Sequence, residues 1–177
     1  LKTIRQIINK KNPRVIFHSD MTQALGKINI NLNDVDLASM SSHKIYAPKG
    51  IGLLYKKSNL EIEPLIYGLT ENCPFRGGTP ALPLIVRFSK AIRIASENIE
   101  NNYKHVEELN NMLTEGLKNL PVHINSNKLC VPHIFNLSLR KIKSETFVRA
   151  IEKYGIYIST TTACSSNEPS SILKHYI

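Results

Sequence analysis

The densest group of polar residues that could do chemistry is Ser41-Ser42-His43-Lys44, which is followed by Ala47-Pro48-Lys49-Gly50-Ile51-Gly52. A lysine beside a histidine and hydroxyl groups can form an imine with an aldehyde, because partial burial lowers its pKa and its neighbours can hold a phosphate. The same residues also fit a basic surface turn. They do not form a Walker phosphate loop, because the pattern Gly-x-x-x-x-Gly-Lys-[Ser/Thr] is absent.

Asp20 is the second candidate, and it stands three residues before Gln23. One interpretation is a simple helix cap. The other is a buried carboxylate that pairs with a cationic ring nitrogen and so keeps a pyridinium ring protonated and electron-poor. The residue types leave both interpretations open.

Cys164 is the third candidate, in the stretch Thr160-Thr161-Thr162-Ala163-Cys164-Ser165-Ser166-Asn167. Small polar residues of this kind favour an exposed loop, and an exposed thiol can serve as a nucleophile, although a lone cysteine is more often incidental. Cys73 and Cys130 have no comparable context, and the cysteines and histidines lack the spacing of metal ligands.

These residues need elements to position them, and the first half of the chain predicts an α/β pattern. Apolar residues at helical spacing predict a helix over residues 1–11, which Pro13 ends. Short apolar runs then predict four strands: Val15-Ile16-Phe17, residues 36–40, residues 51–55 and residues 62–66. The first two strands run into the polar groups that hold Asp20 and Lys44, and the ends of buried strands are where α/β sheets place chemistry.

The second half of the chain begins with a long helical pattern. Apolar residues at spacings of mostly three and four predict a helix over residues 84–120, which either bridges two domains or breaks near Asn101-Asn102. Beyond it, residues 122–124, 134–139 and 156–159 are predicted strands. A helix is predicted over residues 144–154, stopped by Gly155, and another begins at Pro169.

Length and composition exclude several classes of protein. The 177 residues contain 42% hydrophobic and 21% charged residues, which is typical of a globular domain and excludes disorder, collagen and membrane-spanning helices. The net charge of +9 comes from basic residues spread along the chain, which does not favour nucleic-acid binding. Three widely spaced cysteines favour a reducing compartment, and so the cytoplasm. Because the chain opens at Leu1 without an initiator Met, and residues 1–14 lack the features of a secretory signal, we expect it to be part of a longer protein.

Four motifs in order resemble one family, the cysteine desulfurases of the class V aminotransferase group. They are His18-Ser19-Asp20-Met21-Thr22-Gln23-Ala24-Leu25-Gly26-Lys27, Ser41-Ser42-His43-Lys44-Ile45-Tyr46-Ala47-Pro48-Lys49-Gly50, Arg76-Gly77-Gly78-Thr79-Pro80, and Thr162-Ala163-Cys164-Ser165-Ser166 with Glu168-Pro169-Ser170. The resemblance extends over essentially the whole chain. It implies the α/β, mostly parallel-sheet fold of pyridoxal-phosphate (PLP) enzymes of fold type I. Residues 1–83 would be the C-terminal part of the large PLP-binding domain, residues 84–120 a connecting helix, and residues 121–177 a small domain truncated at its end.

The resemblance also implies a cofactor, pyridoxal 5'-phosphate, and residues that bind it. Lys44 would form an imine with the cofactor and move protons at the substrate, Asp20 would pair with the pyridine nitrogen, and Gln23 would hydrogen-bond the ring hydroxyl. Ser41 and His43 would hold the phosphate.

The same resemblance implies a reaction and partners. Thr79 would reach the phosphate of a second protomer in a homodimer. Cys164 would take sulfur from L-cysteine as a persulfide, leaving L-alanine, and pass it to an acceptor protein for iron–sulfur cluster assembly or tRNA thiolation.

One residue departs from the family pattern: Met21 stands where a small residue usually lies beneath the cofactor ring. The family's phosphate-binding Gly/Thr loop, ring-stacking histidine, ring-hydroxyl asparagine and substrate-binding arginine have no counterpart within these 177 residues. Three alternatives therefore remain: selenocysteine lyase, a related class V aminotransferase, and a non-catalytic chain that only binds partners.

Overall fold

The computed structural model describes residues 1–68, 75–139 and 142–160. The chain folds into two compact units, Leu1–Val106 and Glu107–Ile177. Among the described residues, no helix is both long enough and apolar enough to cross a membrane.

Helix α1, Lys2–Lys11, opens the first unit and confirms the helix predicted there. It ends at Asn12, whose backbone is extended (φ −159°, ψ 97°). This conformation is expected before Pro13, because the proline ring disfavours a helical backbone in the residue that precedes it.

Strand β1, His18–Asp20, begins later than predicted. The prediction of a buried strand at Val15-Ile16-Phe17 was wrong: Val15 and Ile16 are 45% and 53% exposed. The backbone N–H of Phe17 donates to the Asp36 carboxylate at 2.8 Å, so this donor bonds a side chain. It is the Phe17 carbonyl that bonds the chain at β2, where it accepts from the N–H groups of Asp36 and Leu37. The polar residues that follow the apolar run form the strand.

Strand β2, Leu37–Ser41, lies at the centre of a three-stranded sheet in the order β1-β2-β3. Its side chains alternate, with Ala38 and Met40 buried and their neighbours partly exposed, as the two-residue period of a strand requires. The buried pair joins a small core cluster, whose other members are Met21, Leu25, Val35, Ile45 and Phe88.

Strand β3, Gly52–Lys56, pairs with β2 in the antiparallel sense and confirms the third predicted strand. The fourth was wrong, because residues 62–66 form no strand. Pro64 lies within this run and has no backbone N–H to donate to a sheet, and Leu65 is 99% exposed.

The helical pattern predicted for residues 84–120 forms two helices, α2, Leu82–Glu97, and α3, Ile99–Leu117. They are separated at Asn98, slightly before the predicted position. The side chain of Asn98 donates from Nδ2 to the carbonyl oxygen of Ile94 at 2.8 Å. Asparagine side chains compete with helical backbone bonding in this way, which explains a break at this residue.

The second unit contains an antiparallel pair, β4, Val122–Ile124, and β5, Leu137–Leu139, and then helix α4, Ser144–Glu152. Both strands and the helix were predicted, but β5 is shorter than residues 134–139. The carbonyl of Asn136 accepts from the backbone N–H groups of both Asn125 and Ser126, which ends the regular ladder there. Gly155, at φ +75°, follows α4 as predicted.

The strand predicted at residues 156–159 is absent, since none of the described segments pairs with it. Its apolar side chains are exposed. The helix predicted from Pro169 lies outside the described residues.

Candidate active site

Parallel pairing of β1 and β2 brings the first two candidate groups to one edge of the sheet. Asp20, the last residue of β1, lies opposite Ser39 in the register, and β2 ends at Ser41. The carboxyl ends of adjacent parallel strands open at the same edge, where α/β sheets bind ligands. Asp20 and the group Ser41-Ser42-His43-Lys44 therefore share this edge, which is hereafter called the β1–β2 edge.

Lys44 lies in a short 3-10 turn, Ser42–Ile45, directly after β2. The turn has a buried face and an exposed face: Ser42 and Ile45 are buried, and His43 and Lys44 are exposed. Tyr46 ends it in the left-handed conformation, at φ +64°. The partial burial expected of Lys44 is thus not found, because the turn directs its neighbours into the core and Lys44 outward.

Ser42 holds the loop that follows Lys44. Its side chain is fully buried, and its Oγ donates to the carbonyl oxygen of Pro48 at 2.5 Å. The backbone N–H of Ala47 also donates to the Ser42 carbonyl, at 3.3 Å. Sequence reasoning gave Ser42 no role, although it is this buried hydroxyl that folds the loop back on itself.

Ser41 and His43 contact each other directly, with Ser41 Oγ 2.7 Å from His43 Nδ1. The direction of this hydrogen bond follows the imidazole tautomer. In either neutral tautomer one group of the pair, the His43 Nε2–H or the Ser41 hydroxyl, can donate to an oxygen of an anion beside the lysine.

Asp20 is exposed, and the buried carboxylate expected at this position is not found. The reason is that Asp20 ends β1, which has only β2 as a neighbour among the described strands. Hydrogen bonds from the side chain and the backbone N–H of Thr22, helped by the charge of His18, nevertheless lower its pKa against the opposing effect of burial. The N–H of Thr22 lies 2.8 Å from Oδ1, as in a turn, so Asp20 is an anion at neutral pH.

Gln23 is bonded to a residue that sequence reasoning did not select. Lys27 Nζ donates to Gln23 Oε1 at 2.9 Å. Burial lowers the pKa of Lys27, and so does the nearby positive charge of Lys44. The Gln23–Lys27 pair therefore lies close enough to Lys44 for the two ammonium groups to interact. The four-residue spacing of Gln23 and Lys27, which brings side chains together on a helical turn, was the signal that could have found the pair.

The turn that carries this pair is packed tightly. Gly26 has φ +69°, and a Cβ atom there would lie 2.7 Å from the Cβ of Ala95 in α2. Met21, the departure from the family pattern, is 3% exposed and belongs to the core cluster. The start and the end of this turn are therefore both fixed by packing.

The remaining predicted site residues are not joined to this group. Thr79 is exposed and lies in the segment before α2, and in the described part of the chain it makes no hydrogen bond to the residues of the β1–β2 edge. Cys164 and nearly all of the loop predicted around it lie outside the described residues, as does Cys73.

The donor set at the β1–β2 edge fits a phosphorylated aromatic aldehyde such as pyridoxal phosphate. It offers a primary amine on Lys44 for the aldehyde and an ionised carboxylate on Asp20 for a protonated ring nitrogen. It also offers the Ser41–His43 pair for phosphate oxygens and the Gln23 amide for a ring hydroxyl. Each functional group of the cofactor thus has a residue of matching chemistry at the edge.

Comparison with known proteins identifies the family. The family model for aminotransferase class V matches residues 1–175. The chain belongs to the class V aminotransferase family. Enzymes of this class depend on pyridoxal phosphate, so the cofactor inferred for the family from the motifs is confirmed.

Two similar proteins are cysteine desulfurases. The chain is 37% identical over 166 residues to cysteine desulfurase IscS of Buchnera aphidicola subsp. Baizongia pistaciae, an alignment that covers 90% of this chain and 41% of the relative. It is 36% identical to the mitosomal cysteine desulfurase of Encephalitozoon cuniculi, covering 98% and 41%. The resemblance to cysteine desulfurases is thereby confirmed, and the chain spans about two fifths of the length of these relatives.

Solved structures of NifS-like proteins share the fold. A NifS-like protein matches with a TM-score of 0.82 at 36% identity, over 90% of this chain and 45% of that one. The NifS-like protein from Rickettsia africae matches with a TM-score of 0.81 at 28% identity, over 91% and 45%. The chain therefore has the α/β fold of this family, as the motifs predicted.

Proposed function

We propose that this chain forms part of a pyridoxal-phosphate-dependent cysteine desulfurase. Such an enzyme converts L-cysteine to L-alanine and passes the sulfur, as an enzyme persulfide, to an acceptor protein for iron–sulfur cluster assembly or tRNA thiolation. Its proposed location is the cytoplasm, since the three widely spaced cysteines suit a reducing compartment.

The observation that carries the proposal is the β1–β2 edge. Asp20 and Lys44 are 24 positions apart in the sequence, yet parallel pairing brings the strand ends that carry them side by side. An anionic carboxylate and an exposed primary amine at one sheet edge are the two groups that a pyridinium aldehyde requires.

Each residue of the edge then has a proposed task. When bound, pyridoxal phosphate supplies an electron-poor ring that stabilises negative charge at the substrate α-carbon. Lys44 Nζ would hold the aldehyde carbon of the cofactor, and its amine would carry a proton to or from the substrate α-carbon. Asp20 holds the proton on the ring nitrogen.

The remaining polar residues orient the cofactor. The Ser41–His43 pair binds the phosphate, and Thr79 binds the phosphate held by a second protomer, which makes the proposed enzyme a homodimer. Gln23 donates to the ring hydroxyl. Residues 1–83 would belong to the large domain, residues 84–120 to the connection, and residues 121–177 to the small domain.

Sulfur transfer is assigned to Cys164 by its motif. Its thiolate would attack the sulfur of the substrate, forming an S–S bond as the carbon–sulfur bond breaks, and protonation of the carbon would complete L-alanine. A loop of small polar residues such as 160–167 suits a thiol that must first reach the substrate and then an acceptor.

The test is covalent trapping of the cofactor on Lys44. The purified chain is mixed with pyridoxal phosphate, its visible absorption is recorded, and borohydride reduction followed by peptide mass spectrometry locates the modified lysine. We expect the label to be found on Lys44. In Lys44→Ala, both the label and the change in visible absorption should be lost. Lys49→Ala is the matched control, because Lys49 is an exposed lysine of the same loop, and it should behave as the wild type.

Two results would contradict the proposal. One is the absence of any absorption change on adding cofactor. The other is labelling spread equally over Lys44 and Lys49, which would indicate the ordinary reaction of surface amines with an aldehyde.

A further inference from the structure

Lys27 is a charged residue near Lys44 to which the family motifs gave no role. Its ammonium group lies 2.9 Å from Gln23 Oε1. The side chain is partly buried, and nearby Lys44 adds a second positive charge. Two neighbouring cations repel each other, which is unfavourable unless other groups stabilise their charges. Here the Gln23 amide oxygen accepts a hydrogen bond from Lys27.

This contact determines which end of the Gln23 amide faces Lys27. An amide has an acceptor oxygen at one end and a two-proton donor at the other, whereas an ammonium group only donates. Turning the amide over would place donor against donor. Lys27 therefore holds Oε1 towards itself and directs Nε2, the donor, away from itself.

The backbone of the turn keeps the two side chains in this relationship. The N–H groups of Lys27 and Ile28 both donate to the carbonyl of Ala24, at 3.0 and 3.1 Å. Leu25 is buried in the core between the two residues, and Gly26 is pressed against Ala95 of α2. The backbone that carries the pair is thus fixed by packing, while the hydrogen bond itself lies at the surface and Gln23 is exposed.

We propose that Lys27 is a positioning residue, which fixes the Gln23 amide with Nε2 oriented to donate to the ring oxygen of pyridoxal phosphate. This inference rests on the proposed function, because it requires the cofactor to bind at the β1–β2 edge. It adds a residue that acts through Gln23 and does not touch the cofactor.

The first experiment measures the amide without cofactor. Side-chain ¹H–¹⁵N signals of Gln23 are assigned in the wild type by comparison with Gln23→Leu, and then followed in Lys27→Met and Lys27→Arg. We expect Lys27→Met to shift both Gln23 signals and Lys27→Arg, which still donates, to keep them near their wild-type positions. Unchanged signals in Lys27→Met would overturn the inference.

The second experiment is a double-mutant cycle on cofactor affinity, read from visible absorption during titration with pyridoxal phosphate. One hydrogen-bond donor set at the wrong angle should weaken binding about fivefold in Lys27→Met. Adding Lys27→Met to Gln23→Leu should weaken binding no further, because Lys27 acts only through Gln23. Lys49→Met controls for the loss of one positive charge and should bind as the wild type.

The outcomes separate this inference from the proposed function. Equal additional weakening in the Gln23→Leu background would mean that Lys27 attracts the phosphate directly, and would overturn the positioning role. If the wild type binds no cofactor, the proposed function and the cofactor part of this inference both fail, and the amide signals alone decide whether Lys27 orients Gln23.

Discussion

Asp36 Oδ2 accepts a hydrogen bond from Arg5 Nη2 at 2.5 Å, and this ion pair fastens α1 to the residue that precedes β2. The other carboxylate oxygen of Asp36 lies 3.1 Å from Lys57 Nζ, just beyond the end of β3. The N–H of Phe17, next to β1, also donates to Oδ2. The Asp36 carboxylate therefore links the start of β1, the start of β2 and the end of β3. These strand ends lie opposite the β1–β2 edge, so the carboxylate stabilises the sheet that positions Lys44.

This cluster predicts loss of stability in acid. Burial of Asp36 acts to raise its pKa, but the bonds from Phe17, Arg5 and Lys57 outweigh it and lower the pKa from 3.8 to about 2. Because the folded-state pKa is depressed, the stabilisation is complete above about pH 4 and is lost as the pH falls towards 2. We expect Asp36→Asn to lower the free energy of unfolding by about 2 kcal/mol at pH 7.

Urea denaturation of the wild type and Asp36→Asn, repeated from pH 7 to pH 2, measures this effect. The difference between the two proteins should shrink as the pH falls. Asp34→Asn is the control, since the contact Arg5 makes with Asp34 is to its backbone carbonyl. A difference that stays constant with pH would contradict the role given to the carboxylate charge.

Ser42→Ala should loosen the loop that follows Lys44. The variant removes the donor to Pro48 and leaves that carbonyl without its buried partner, which costs about 1–2 kcal/mol. We expect faster hydrogen exchange at the backbone N–H of Ala47, measured by mass spectrometry. Ser58→Ala, at an exposed position, should change neither exchange nor stability.

Two glycine substitutions should change stability in opposite directions. Gly26→Ala places a methyl group against Ala95 at a left-handed backbone position, and should destabilise the chain by about 1–3 kcal/mol. Gly116→Ala, in α3, meets nothing within 4 Å and should stabilise the helix by about 0.5–1 kcal/mol. Thermal unfolding followed by circular dichroism compares them, and equal shifts in the same direction would argue against the packing described for Gly26.

Thr22→Val should raise the pKa of Asp20 towards its ordinary value. The substitution removes the side-chain hydrogen bond, which is the largest contribution that lowers this pKa, and keeps the backbone one. A carboxyl ¹³C titration by NMR measures the change. Thr22→Ser retains the hydroxyl, so in this control Asp20 should titrate as in the wild type. A Thr22→Val titration curve identical to that of the wild type would show that the hydroxyl does not stabilise the Asp20 anion.

The sequence predicted those helices and strands whose formation depends mainly on their own residues. Helical spacing predicted α1 and α4, short runs read as strands predicted β2 and β4, and all four are present. The failure at residues 62–66 follows from Pro64, which has no backbone N–H, whereas the predictions for Val15-Ile16-Phe17 and residues 156–159 failed for a reason outside their own residues. A short apolar run becomes a strand only where another strand accepts its hydrogen bonds, and no local pattern states which partner is available.

The sequence by itself determined the candidate chemistry of this protein: a lysine among phosphate-binding residues, a carboxylate before a glutamine, and motifs specific enough to indicate the family. Only the tertiary structure decided which of these residues meet. Asp20 and Lys44 share an edge because β1 and β2 pair in parallel. The proximity of Asp20 and Lys44 depends on backbone pairing between segments that are distant in the chain, which the linear order of residues does not specify. The contact of Lys27 with Gln23 follows from local spacing, and packing against α2 holds the turn that carries it.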